Sequence, residues 1–121
     1  IYVVWCQGET DGDHQVTKEI YKKNTQELME QFKKAGASHV FLVQIGHFNY
    51  LLHGEKGKAW DKRYEVIRQA QEELCRENCF FTLAASFEPY LTLMRDSYHY
   101  FQRAYDEVGT VCGKVMAEYK A

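Results

Sequence analysis

Three short, continuous apolar runs punctuate the chain: Tyr2 to Cys6, Val40 to Ile45 and Phe80 to Ala85. Each is rich in β-branched and aromatic residues and lacks the strict alternation of a half-solvated strand. Strands covered by helices on both faces have this pattern. Between them the spacing changes to the period of a helix. Thr17 caps a helix whose apolar residues Ile20, Leu28 and Phe32 are placed on one side, and Gly36 stops it. Trp60, Tyr64, Ile67 and Leu74 form a second helical stripe. Phe101, Tyr105, Val108, Cys112, Val115 and Tyr119, three or four apart, form a third.

The order βαβαβα predicts an α/β fold, a three-layer α/β/α sandwich with a parallel sheet, because one sense of crossover winds such units into a layered sheet. The sole proline, Pro89, follows the third run, where it removes no ladder hydrogen bond. The segment Gly46 to Lys58 departs from the helical pattern; with Gly46, Gly54, Gly57 and several aromatic or histidine residues it reads as a loop at a strand end. Such loops bind ligands in open α/β sheets, and a solvated connection reads the same way.

At 121 residues the chain accommodates one domain. It opens directly on the first apolar run, without methionine or polar lead-in, and we expect it to be the C-terminal part of a domain whose upstream strands pair with that edge. The net charge of -2, from 15 basic and 17 acidic side chains, gives no basic footprint for nucleic acid. No apolar run reaches the roughly 18 residues that cross a bilayer, so no membrane association is expected. Cys6, Cys75, Cys79 and Cys112 lack metal-knuckle spacing and are read as unpaired small core residues. Unpaired thiols favour a cytoplasmic location, although localisation stays open.

Two clusters carry chemistry. Trp5-Cys6-Gln7-Gly8-Glu9-Thr10-Asp11 follows the first strand, and Asp96-Ser97-Tyr98-His99 precedes the last helix. An Asp three residues before a His can turn its carboxylate onto the imidazole, fix the proton on Nδ1 and leave Nε2 free as a base. A loop aspartate beside a surface histidine has the same spacing. At the first cluster the Gln7 amide can donate to a developing oxyanion. Gly8 permits close approach of backbone to a ligand. Glu9 can orient His99, bind a substrate hydroxyl or act as a cap.

Together the clusters resemble the SGNH hydrolase superfamily, in particular its carbohydrate and sialate O-acetylesterase branch, the acetylxylan-esterase-like enzymes included. That branch carries Trp-x-Gln-Gly-Glu-x-Asp, matched by Trp5, Gln7, Gly8, Glu9 and Asp11, and Asp-x-x-His, matched by Asp96 and His99. Ala104, Tyr105 and Gly109 resemble the continuation of the second block, with Ala104 in place of a glycine. The resemblance implies a flavodoxin-like sandwich and removal of O-acetyl groups from a carbohydrate through an acetyl-enzyme, with no cofactor. It implies His99 as general base, Asp96 as its orienter with Glu9 competing for that role, and Gln7 at the oxyanion hole. The acetylated carbohydrate is the implied substrate, and the missing N-terminal segment is the implied partner. The nucleophilic serine of the family comes from that segment. Ser38, Ser86 and Ser97 do not sit in its motif, so the chain alone is expected to be inactive. A non-catalytic flavodoxin-like binding or assembly module is the alternative.

Other signals carry less. Asp11-Gly12-Asp13 resembles the start of a calcium loop, but Lys22 stands where a bidentate Glu is required. His14, His47 and His53 are too scattered to make a zinc site. Phe48, Tyr50, Tyr98 and Tyr100 flank the clusters and can pack on a sugar face or on one another.

Overall fold

The computed structural model describes residues 1–120. Strand β1 (Tyr2–Trp5) leads through a five-residue helix α1 (Glu9–Asp13) to α2 (Lys18–Lys34). Strand β2 (His39–Gln44) is followed by a short 3-10 turn (Tyr50–Leu52) and the long helix α3 (Gly54–Glu77). Strand β3 (Phe81–Ser86) leads through a second 3-10 segment (Glu88–Leu93) to α4 (Gln102–Glu118). The strands form one parallel sheet in the order β1-β2-β3.

The layers follow from the central strand. All six residues of β2 are buried, and alternate side chains go to opposite faces. Val40 and Leu42 pack with Met29 of α2, Leu74 of α3 and Phe81. Phe41 and Val43 pack with Ala84, Ala104, Val108 and Cys112 on the α4 side. The two crossover helices thus share one face and α4 covers the other, which is the α/β/α sandwich that the sequence predicts. The register of β2 on β3 slips between Leu42 and Val43, a bulge that places one extra residue of β3 in the pairing.

Local rules account for the element ends. Thr17 Oγ1 accepts the Ile20 N–H at 3.3 Å, capping α2. Gly36, with φ +111°, turns the chain out of the helix in a conformation that side-chain-bearing residues rarely adopt.

Four expectations need correction. The face of α2 that packs is Tyr21, Thr25 and Met29, whereas Ile20, Leu28 and Phe32 are exposed to solvent. Tyr21 and Thr25 carry hydroxyls and so escape an apolar count. The segment Gly46 to Lys58 is not wholly a loop, since α3 begins at Gly54. A Cβ on Gly57 would stand 2.9 Å from Tyr50 Cα, so this glycine admits the 3-10 turn against the helix. The stripe of α4 holds at Val108 and Cys112 but not at Phe101 and Tyr105, which are exposed where the helix leaves the core. Of the cysteines only Cys112 is buried; Cys6 and Cys79 are exposed.

Candidate functional site

The sheet ends in loops that form a cleft of about 480 Å³ lined by Cys6, Glu9, Thr10, Asp13, Phe87, Tyr98, His99, Tyr100 and Tyr105. Both sequence clusters contribute to it. Its floor is set by the β1–α1 turn, where Gly8 adopts φ +152° and lies against α3. A Cβ there would come within 2.9 Å of Ile67 Cγ2 and 3.1 Å of Ile45 Cγ2. Gly8 is therefore required by packing of the turn on the protein itself.

Gln71 ties this turn to the neighbouring strand end. It is fully buried, and its Nε2 donates to the Gln7 carbonyl at 2.9 Å and to Tyr21 Oη at 3.0 Å. Its Oε1 accepts the Ile45 N–H at 3.0 Å, while Tyr21 Oη donates to the same Gln7 carbonyl at 3.1 Å. One amide thus holds the ends of β1 and β2 together. The rim helix α1 is fixed similarly, because Asp13 Oδ1 accepts from Trp60 Nε1 at 2.9 Å and from Tyr64 Oη at 2.8 Å.

His99 sits on the opposite lip. Its Nδ1–H donates to Asp96, 3.0 Å from Oδ2 and 3.1 Å from Oδ1. Asp96 Oδ1 also accepts the backbone N–H of Tyr98 at 2.8 Å and of His99 at 2.6 Å. These donors, Tyr98 N–H first, hold the carboxyl down at about 2, so Asp96 is ionised across the neutral range. The imidazole is 60% exposed and lines the cleft, and its Nε2 has no protein partner among the described residues. This is the arrangement of an oriented base: Asp96 fixes the tautomer with the proton on Nδ1, and Nε2 is left to accept.

The candidate residues do not all converge. Glu9 and His99 line one cleft, and Asp96, which is not part of its lining, is the carboxylate that contacts the imidazole. Gln7 turns the other way. Its Nε2 donates to Asp11 at 2.7 Å and lines an adjoining hollow with Trp5, Tyr21, Asn24, Thr25 and Leu28.

The hydroxyls of Ser38, Ser86 and Ser97 are all engaged away from the imidazole. Ser38 donates to the Ile1 carbonyl at the far end of the sheet, Ser86 to Gln44 Oε1 at 2.6 Å, and Ser97 pairs with His53 Nε2 at 2.7 Å. Cys6 lines the cleft, and although the residue as a whole is exposed, desolvation of its thiol by the surrounding protein, with the Glu9 charge adding to it, pushes the thiol up to about 11 and keeps it protonated.

The support behind the His99 loop is not legible in the sequence. Asn49 is 4% exposed, its Nδ2 donates to the Asp96 carbonyl at 3.2 Å, and its N–H donates to the Ser97 carbonyl at 3.1 Å. Phe48 packs edge-on against Tyr98 with ring centroids 5.5 Å apart. The segment read as solvated or substrate-contacting thus also braces the His99 loop.

Beside it lies a second charged group. His47 Nδ1 meets Asp61 Oδ2 at 2.9 Å, His47 Nε2 meets Glu88 Oε1 at 3.1 Å, and Arg68 donates to the Gly46 carbonyl at 2.7 Å. The bond to Asp61 raises the His47 pKa despite desolvation. No group of three or more metal-ligating side chains occurs among the described residues, and none of their helices is long and apolar enough to cross a membrane.

A family model described as carbohydrate esterase, sialic acid-specific acetylesterase, matches residues 2–118. No curated protein and no solved structure matches the chain. The match spans nearly the whole chain, which therefore belongs to this family of carbohydrate esterases.

Proposed function

We propose that this chain, as a member of that esterase family, supplies the base side of a site that removes O-acetyl groups from a carbohydrate by way of an acetyl-serine. The observation that carries the reading is the Asp96–His99 pair, with Nδ1 held by the carboxylate and the imidazole lining the cleft. In the forward step Nε2 takes the proton of a serine hydroxyl as its oxygen bonds to the acetyl carbon. The sugar hydroxyl leaves with that proton when the tetrahedral intermediate collapses. Water then repeats the sequence on the acetyl-serine and releases acetate. Asp96 steadies the imidazolium in both halves. Gln7 is the oxyanion donor once its amide turns from Asp11, and Glu9, not needed to orient His99, is left to bind a substrate hydroxyl.

The nucleophile comes from a segment of the same domain other than residues 1–121. Ser38, Ser86 and Ser97 are engaged elsewhere, and among the described residues nothing pairs with the edge of β1 away from β2; Tyr2 and Val4 of that strand and Ile20, Leu28 and Phe32 of α2 are exposed. An apolar, open strand edge next to the hollow lined by Gln7 supports seating that segment there.

A fluorophosphonate, which labels only an activated serine, tests the whole reading by intact mass. The 121-residue chain should take no adduct, and the protein carrying the further segment should take one, abolished by His99→Ala. An adduct on Ser38, Ser86 or Ser97, or labelling that survives loss of His99, would sink it.

A further inference from the structure

The loop that carries the base has few attachments of its own. Its ends are joined by the Arg95 N–H to His99 carbonyl bond, 2.7 Å, and by the bridge between Met94 and Tyr100. Among the described residues its tip is held from the β2–α3 connection, at Asn49, at His53 through Ser97, and at the Phe48–Tyr98 ring contact. Of these, only Asn49 reaches the residue that orients His99.

The chemistry of Asn49 is one-sided. Its Nδ2 and backbone N–H donate to successive carbonyls of the loop, whereas its Oδ1 is buried without a partner. A carbonyl oxygen can only accept, so the group 3.2 Å from the Asp96 carbonyl is the amide nitrogen. An amide oxygen buried with nothing to accept is destabilising, and leucine would fill similar volume without that cost. What its donor holds explains an asparagine here; packing does not.

Resting on the esterase reading, we propose that Asn49 is a positioning residue that acts on catalysis through Asp96. By fixing the Asp96 main chain it leaves the carboxylate free to gather the Tyr98 N–H, the His99 N–H and the His99 Nδ1–H together. Without that anchor the loop tip rocks on its two ends, and the carboxylate loses alignment with the imidazole. Misplacement of a catalytic group by a fraction of an ångström to 1 Å lowers turnover without weakening ground-state binding.

Asn49→Leu tests this in two preparations. In the 121-residue chain, 15N spectra of the histidines should show the Nδ1–H tautomer of His99 dominant in the wild type and eroded in the variant. In the serine-bearing protein, kcat for an acetylated sugar should fall roughly tenfold with KM within about twofold. His53→Ala, which cuts the tie to Ser97 from outside the loop and leaves Asn49 in place, should move neither readout.

An unchanged tautomer and an unchanged kcat in a folded Asn49→Leu protein overturn the proposal. Should that variant not fold, Asn49→Ser, which is smaller and too short to reach the Asp96 carbonyl, replaces it under the same criteria. Absence of esterase turnover in the wild type would defeat the esterase reading alone, because the tautomer measurement decides the role of Asn49 independently.

Discussion

Replacing Gln71 by leucine isolates the contribution of one buried amide to the architecture of the site. The substitution keeps approximate volume, so no large cavity opens and the loss is polar. Three bonds disappear: those to the Gln7 carbonyl, to Tyr21 Oη and from the Ile45 N–H. They are not equivalent. The Gln7 carbonyl still accepts from Tyr21 Oη at 3.1 Å, and that hydroxyl remains satisfied as a donor. The Ile45 N–H is left in a fully buried residue with nothing to bond. An orphaned buried donor costs about 1–3 kcal/mol, which sets the expected loss near 2 kcal/mol. With an m-value of roughly 2 kcal/mol/M the urea midpoint falls by about 1 M at unchanged slope. Equilibrium unfolding followed by circular dichroism reads this directly. Tyr21→Phe alone should cost less, because Gln71 still holds the Gln7 carbonyl. The double variant should lose more than the sum of the singles, since only then is that carbonyl also bare. Additive losses, or a midpoint for Gln71→Leu within about 0.3 M of wild type, would refute the reasoning.

Three further outcomes follow from the geometry. Asp96→Asn should keep the fold but lower kcat of the serine-bearing protein by roughly 10²- to 10⁴-fold in steady-state assays, because an amide can present its N–H to Nδ1 and favour the wrong tautomer. His47→Gln should reduce stability at acid pH only: with its folded pKa raised, the stabilisation from His47 is complete below the ordinary histidine value and is lost as pH rises through the folded one. Melting temperatures of wild type and variant should therefore differ at about pH 5.5 and converge towards about pH 8.5; a constant gap would contradict the assignment. Gly8→Ala should cost about 1–3 kcal/mol in denaturant unfolding, from its φ of +152° and the overlap with Ile67.

The fold was legible because its signals are local. A central strand buried on both faces reads as an apolar run, and Val40 to Val43 is one, with buried His39 and Gln44 at its ends; the α3 and α4 stripes were visible wherever burial and hydrophobicity coincide, as at Ile67, Leu74 and Val108. They parted company on α2, where the buried face uses the amphipathic Tyr21 and Thr25 while Ile20, Leu28 and Phe32 stay outside. The Asp96–His99 contact was also legible, being separated by one turn of loop. What the sequence hid is long-range and polar. Gln71 and Gln7 are 64 positions apart and Asn49 and Asp96 are 47 apart, and nothing in an isolated Gln or Asn announces its partner. Glycine misled in both directions: Gly57 reads as loop but permits close packing of a helix, and Gly8 reads as a ligand contact but is required by Ile67.

The anchoring of α1 by Asp13 also gives the molecule an optical probe of its own. The indole of Trp60 bonds Asp13, a cleft residue, and lies beneath the Arg63 guanidinium at 3.8 Å. Its emission therefore depends on a carboxylate that lines the cleft and on the Arg63 guanidinium, which itself donates to the Asp13 carbonyl at 3.2 Å. Trp5, the other indole, is at the end of β1 beside the hollow lined by Gln7. Filling the cleft and filling the hollow should thus alter different fluorophores, and the two events can be followed separately in unlabelled protein by exchanging one tryptophan at a time for phenylalanine.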